Sequence, residues 1–66
     1  MTVVVNGKEQ EVPDGTTVRQ LVERLGLGGS PCAAEVNKDL VPRREHESRR
    51  LKPGDHVEIV TLVGGG

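Results

Sequence analysis

His56-Val57-Glu58-Ile59-Val60-Thr61-Leu62-Val63-Gly64-Gly65-Gly66 ends the 66-residue sequence, and it joins a strand to a run of glycines. Residues 56–60 are rich in the β-branched side chains that suit a strand. Side chains alternate along a strand, so Val57 and Ile59 share one face while Glu58, Val60 and Leu62 share the other. Val57 and Ile59 are expected in the core. Val60 and Leu62, with Val63 beside them, are expected as partner contacts, because apolar side chains on an uncovered face read as a docking surface. Fully extended, the three glycines span roughly 10 Å, enough to carry the Gly66 carboxylate into a narrow slot that side chains could not enter. Gly64 and Gly65 are the expected threading residues. The carboxylate is ionised at neutral pH and a poor electrophile, so chemistry at Gly66 requires prior activation, for example as an acyl-adenylate.

Upstream of this strand, Lys52-Pro53-Gly54-Asp55 has Pro and Gly at the central positions that favour a type II turn. Residues 43–52 hold Arg43, Arg44, Arg49, Arg50 and Lys52 among Glu45 and Glu47. The interspersed acids mark a solvated, irregular or short helical connection rather than a nucleic-acid patch, with Leu51 as its anchor. Residues 32–36 read as a strand, Asn37-Lys38-Asp39 as a turn, and Leu40-Val41 as a short strand. Pro42 has no N–H to give a ladder, which places this strand at an edge.

The N-terminal half is more regular. Residues 2–5 form a β-branched run before Asn6-Gly7, the dipeptide that favours a two-residue type I′ hairpin, and residues 8–12 return as a second strand. This register pairs Val5 with Lys8 and Val3 with Gln10, with Val3 and Val5 facing the core. Pro13-Asp14-Gly15 breaks the strand. Thr17 and Gln20 then read as a capping box opening a helix at Val18, whose apolar stripe is Val18, Leu21, Val22 and Leu25. Gly26 fits the left-handed position that ends a helix.

Hairpin, helix, hairpin, connection and final strand is the order of an α+β, β-grasp domain: a mixed sheet of four to five strands with one main helix across it. The first and last strands would then be parallel neighbours near the centre. Residues 1–63 are expected to form this domain and residues 64–66 a flexible tail.

Composition narrows the function. A chain of this size buries only about 60% of its unfolded surface, leaving little room for an internal cleft. The sequence has no Phe, Tyr or Trp, which removes the rings that stack on single-stranded nucleic acid. Its formal net charge of −1 gives no field that would draw it to phosphate or an anionic membrane. No apolar stretch approaches the roughly 20 residues of a membrane span, and no signal-peptide pattern opens the chain, so a cytoplasmic protein is expected. The single cysteine, Cys32, excludes an internal disulfide and reads as a small buried thiol at a strand start. His46 and His56 are far apart and without companion ligands, so no metal site is expected, and both read as surface residues.

The whole pattern resembles the ThiS family, the ubiquitin-like sulfur carriers of thiamine biosynthesis that end in a diglycine. The resemblance runs over nearly the full length. It rests on the Asn6-Gly7 hairpin, the Thr17-Val18 helix opening with Leu21 and Leu25-Gly26, Val36-Asn37 before Leu40-Val41-Pro42-Arg43, Leu51 with Gly54-Asp55, and Val57-Glu58-Ile59-Val60 before Val63-Gly64-Gly65-Gly66. It implies a carrier and not an enzyme. A ThiF-like partner would use ATP to adenylate Gly66, and a persulfide derived from a cysteine desulfurase would convert it to a thiocarboxylate. A ThiG-like thiazole synthase would then take the sulfur. No cofactor is expected to be bound, and the chain is expected to be a monomer on its own. Two readings stay open at this point: a related carrier serving molybdopterin synthesis or tRNA thiolation, and a β-grasp adaptor or modifier with no sulfur chemistry.

Overall fold

The computed structural model describes residues 1–62. Strand β1 (Thr2–Val5) turns through Asn6 and Gly7 into β2 (Lys8–Glu11). Both turn residues have positive φ, 50° and 84°, as a type I′ turn requires. The register is Val5 with Lys8 and Val3 with Gln10, and Val3 and Val5 are buried, both as the alternation requires. Val12 lies just past the strand rather than within it. It is buried, and its N–H donates to the Met1 carbonyl at 2.9 Å.

Helix α1 (Val18–Arg24) starts at the expected capping box, with the Thr17 hydroxyl accepting from Gln20 N–H and the Gln20 side chain accepting from Thr17 N–H. Two other first-turn donors are satisfied from far along the chain. Val18 N–H donates to Arg49 O at 3.0 Å and Arg19 N–H to His46 O at 2.9 Å. The helix ends with Gly26 N–H bonded to Glu23 O and Leu27 N–H to Val22 O, 3.0 and 3.1 Å. This is a Schellman closure, made possible by Gly26 at φ 78°.

Strand β3 (Cys32–Val36) and β4 (Asp39–Val41) form the second hairpin, and a 3₁₀ turn (Arg43–Glu45) leads into the connection. Strand β5 (His56–Thr61) completes a five-stranded sheet in the order β2-β1-β5-β3-β4. It runs parallel to β1 and antiparallel to β3, so β5 is central and β4 an edge. This is the mixed β-grasp sheet with one helix.

The core is aliphatic and lies between α1 and one sheet face. Val3, Val5, Ala34, Val36, Val41, Val57 and Ile59 meet Val18, Leu21 and Val22, with Val12 and Leu51 closing the ends. Each fully buried Val or Leu side chain contributes about 1.5–3 kcal/mol. Cys32 begins its strand as expected but is only half-buried, packed against the core margin.

His46 departs from the surface position expected of it. Only 6% of it is exposed, and its Nε2 lies 3.0 Å from the Val41 carbonyl. A carbonyl accepts only, so Nε2 carries the proton. The connection thus has a structural use that its charge conceals. It caps α1 through the Arg49 and His46 carbonyls, takes the Thr16 carbonyl with Leu51 N–H at 2.8 Å, and ties to the helix surface through Arg19 and Glu47 at 3.1 Å.

Candidate functional site

The site is built on β5, because this strand delivers the chain to its last residues. Two asparagines hold it by continuing the backbone ladder with their side chains. Asn6 follows β1, and its Oδ1 accepts from Ile59 N–H at 2.8 Å while its Nδ2 donates to Ile59 O at 3.2 Å. Asn37 follows β3, and its Oδ1 accepts from His56 N–H at 3.0 Å. Its Nδ2 donates to Asp55 Oδ1 at 3.0 Å, while Asp55 Oδ2 accepts from Lys52 N–H at 2.8 Å. Beyond the strand, Leu62 N–H donates to Pro31 O at 2.8 Å. The strand is therefore fixed from its entry at Asp55 to Leu62, the last described residue.

Asp55 is nearly buried, and its two oxygens serve one backbone and one side-chain donor. Asp55→Ala would leave both donors unpartnered and is expected to cost about 2 kcal/mol, read as a lower midpoint in denaturant with an unchanged slope. A variant as stable as wild type would show that the Lys52–Asp55 turn holds without its carboxylate.

On the face of β5 away from the helix, Val60 is 59% exposed and Leu62 57%, while Ile59, one residue away from Val60, is 6% exposed. Leu40 on β4, at 67%, belongs with them. Ala33, Glu35, Leu40, Glu58 and Val60 line a shallow groove of ≈ 320 Å³. The register explains the grouping: Ala33 is opposite Val60, Glu35 opposite Glu58, and Leu40 opposite Glu35. Leu40 is not legible from sequence as part of this surface, because a short edge strand gives no alternation long enough to assign its face. A larger groove of ≈ 560 Å³ lies against α1, between residues 13–16 and Gln20, Glu23 and Arg24. Its one hydroxyl, Thr16, is buried and donates to the Pro13 carbonyl at 2.6 Å. Among the described residues, no three His, Cys, Asp or Glu groups come together as a metal site, and no helix is long and apolar enough to cross a membrane. Val63, Gly64, Gly65 and Gly66, the expected contact, threading and reacting residues, lie outside the described residues.

One helix on a mixed five-stranded sheet, with a central last strand leading to terminal glycines, defines a β-grasp protein of the ubiquitin-like kind. Within that class the chain belongs to the ThiS family, whose model matches residues 3–66. It is similar to the crystal structure of the thiamine biosynthesis protein ThiS from Geobacter metallireducens, with a TM-score of 0.83, 29% identity and all of both chains covered. It is 31% identical over 64 residues to the sulfur carrier protein ThiS of Thermus thermophilus, covering 97% of this chain and 98% of that one. It is also 35% identical over 66 residues to a thiazole synthase of Paramagnetospirillum magneticum. That match takes in all of this chain but 20% of the synthase, so the chain spans about a fifth of that relative's length.

Proposed function

We propose that this protein is a sulfur carrier for thiazole formation in thiamine biosynthesis, with Gly66 as its reacting terminus, residues 1–63 as the presenting domain and residues 64–66 as a tail. The observation that carries this reading is the family match, which continues through the terminal glycines to residue 66, together with a named sulfur carrier of nearly the same length. A thiazole synthase that contains a segment like this whole chain supports a ThiG-like acceptor as partner.

In this reading the chain is the carrier and the adenylating partner the enzyme, because a free carboxylate is a poor electrophile and must first be activated with ATP. A Gly66 carboxylate oxygen attacks the α-phosphorus of ATP bound to a ThiF-like protein, and pyrophosphate leaves. Sulfur from a desulfurase-derived persulfide then attacks the acyl carbon and AMP leaves. Cleavage of the sulfur–sulfur bond by a thiol frees the thiocarboxylate, which the thiazole synthase consumes. Glycines at 64 and 65 suit this route because bare backbone passes where a Cβ would not. Val60 and Leu62 supply the apolar contact that seats the domain while the tail reacts.

The test is the intact mass of the protein after incubation with ATP, the adenylating enzyme, a cysteine desulfurase and cysteine. Exchange of one oxygen for one sulfur, reversed on addition of thiazole synthase and its substrates, is expected. A mass that never changes would leave a β-grasp adaptor. A thiocarboxylate that the synthase does not consume would point to a carrier with a different acceptor.

A further inference from the structure

The outer sheet face contains a pairing that stability does not explain. Glu35 and Glu58 are direct partners on the antiparallel strands β3 and β5, and both line the groove with Leu40 and Val60. Like charges placed opposite each other on a sheet are destabilising. Among the described residues, none of the ion pairs involves either carboxylate. The lysines nearest in sequence, Lys38 to Glu35 and Lys52 to Glu58, form no ion pair with either carboxylate among the described residues. The three large hydrophobic side chains exposed among the described residues, Leu40, Val60 and Leu62, are those already placed on this surface. An apolar groove lined by two carboxylates that have no ion-pair partner among the described residues is complementary to a long cationic side chain. The head of such a side chain takes the charge while its methylene stem covers apolar walls.

We propose that Glu35 and Glu58 together receive an arginine or lysine of the adenylating partner, with Leu40 and Val60 packed along its stem. This rests on the carrier reading above and adds to it the residues that select the partner. An arginine suits the pair better than a lysine, because its planar fork can donate to two carboxylates at once. In the free protein the two charges repel. In the complex the same proximity becomes an advantage, since both oppose one cation. The groove thus gives up some stability of the free chain for recognition, and that exchange has a signature which a purely structural pair would not show.

The experiment uses the full chain, its Glu35→Gln/Glu58→Gln double variant, and the ThiF-like adenylating enzyme of the same organism. Thermal unfolding and the steady-state rate of adenylation are measured against carrier concentration at several salt concentrations. The double variant is expected to melt at or above the wild-type temperature. Its KM for adenylation is expected to rise about tenfold with kcat unchanged, and the salt dependence of KM to flatten. Equal KM and equal salt dependence would overturn the proposal. So would a lower melting temperature that accounts for the loss, since the pair would then be structural. Normal adenylation with impaired transfer to thiazole synthase would assign the groove to that enzyme instead and overturn the assignment made here. Self-association of the wild type that the double variant abolishes would make a second copy of the chain the occupant, and would overturn it equally. A wild-type chain that is never adenylated would overturn the carrier reading itself, a result distinct from all of these.

Discussion

Deletion of Gly66, or conversion of its carboxylate to an amide, is expected to abolish thiocarboxylate formation while the protein remains folded. The two halves have separate grounds. The core cluster runs from Val3 to Ile59 and includes β5 as far as its buried face, so the change leaves it untouched, and stability is expected to stay within about 0.5 kcal/mol of wild type. The chemistry has no such tolerance. An amide offers no carboxylate oxygen to attack ATP, and removing one residue withdraws the carboxylate by roughly 3.5 Å. A misplacement of only about 1 Å can cost a hundredfold in rate, so the deletion is expected to fall below detection. The checks are thermal unfolding and intact mass after the complete sulfur-transfer incubation. A truncated chain that unfolds would place the last residue within the fold, and one that still gains sulfur would remove Gly66 as the reacting group.

The sequence is informative about this fold where single residues impose backbone conformation. Asn6-Gly7 dictates a two-residue turn, and that turn sets the register that buries Val3 and Val5. Thr17 with Gln20 and Gly26 mark the two ends of the helix because each satisfies backbone groups within a few residues of itself. These are local interactions with local signatures. The contacts that hold β5 are of another kind. Asn6 bonds Ile59 across 53 positions, and Asn37 joins Asp55 across 18. No spacing rule exposes such pairs, although the same asparagines are visible in the sequence as turn formers. The burial of His46 is hidden for a related reason. Its charged neighbours make residues 43–52 read as solvated, whereas its burial goes with a bond to the Val41 carbonyl, on the strand that precedes the connection. The docking face is half legible. Alternation along residues 56–62 exposes Val60 and Leu62, but Ala33, Glu35 and Leu40 join them only through the strand order, which places β3 beside β5 and β4 beside β3.

The sharpest contrast that strand order creates is between neighbours. Ile59→Asp is expected to unfold the protein, and Val60→Asp to leave it folded but poorly adenylated. Ile59 is 6% exposed and packs in the core; an aspartate there must either bury an unpaired charge or draw water into an aliphatic cluster, at a cost of several kcal/mol. Whole-domain stability is typically about 5–15 kcal/mol, and a 66-residue chain without disulfides has less than most to lose. Val60 is 59% exposed, so its carboxylate replacement remains hydrated in the free protein. The residual penalty comes from Glu58 and Glu35, which share the groove with position 60, and is expected to be a few tenths of a kcal/mol. Binding reverses the comparison. A third carboxylate in the groove would be desolvated against the partner in place of an apolar contact, raising KM for adenylation with Gly66 intact. Thermal unfolding and single-turnover adenylation at saturating and limiting carrier concentrations separate the two effects. If Val60→Asp melts like Ile59→Asp, the side chain at position 60 contributes to the core and the outer face is not free. If it is stable and adenylated at the wild-type rate at both concentrations, partner recognition lies on another surface.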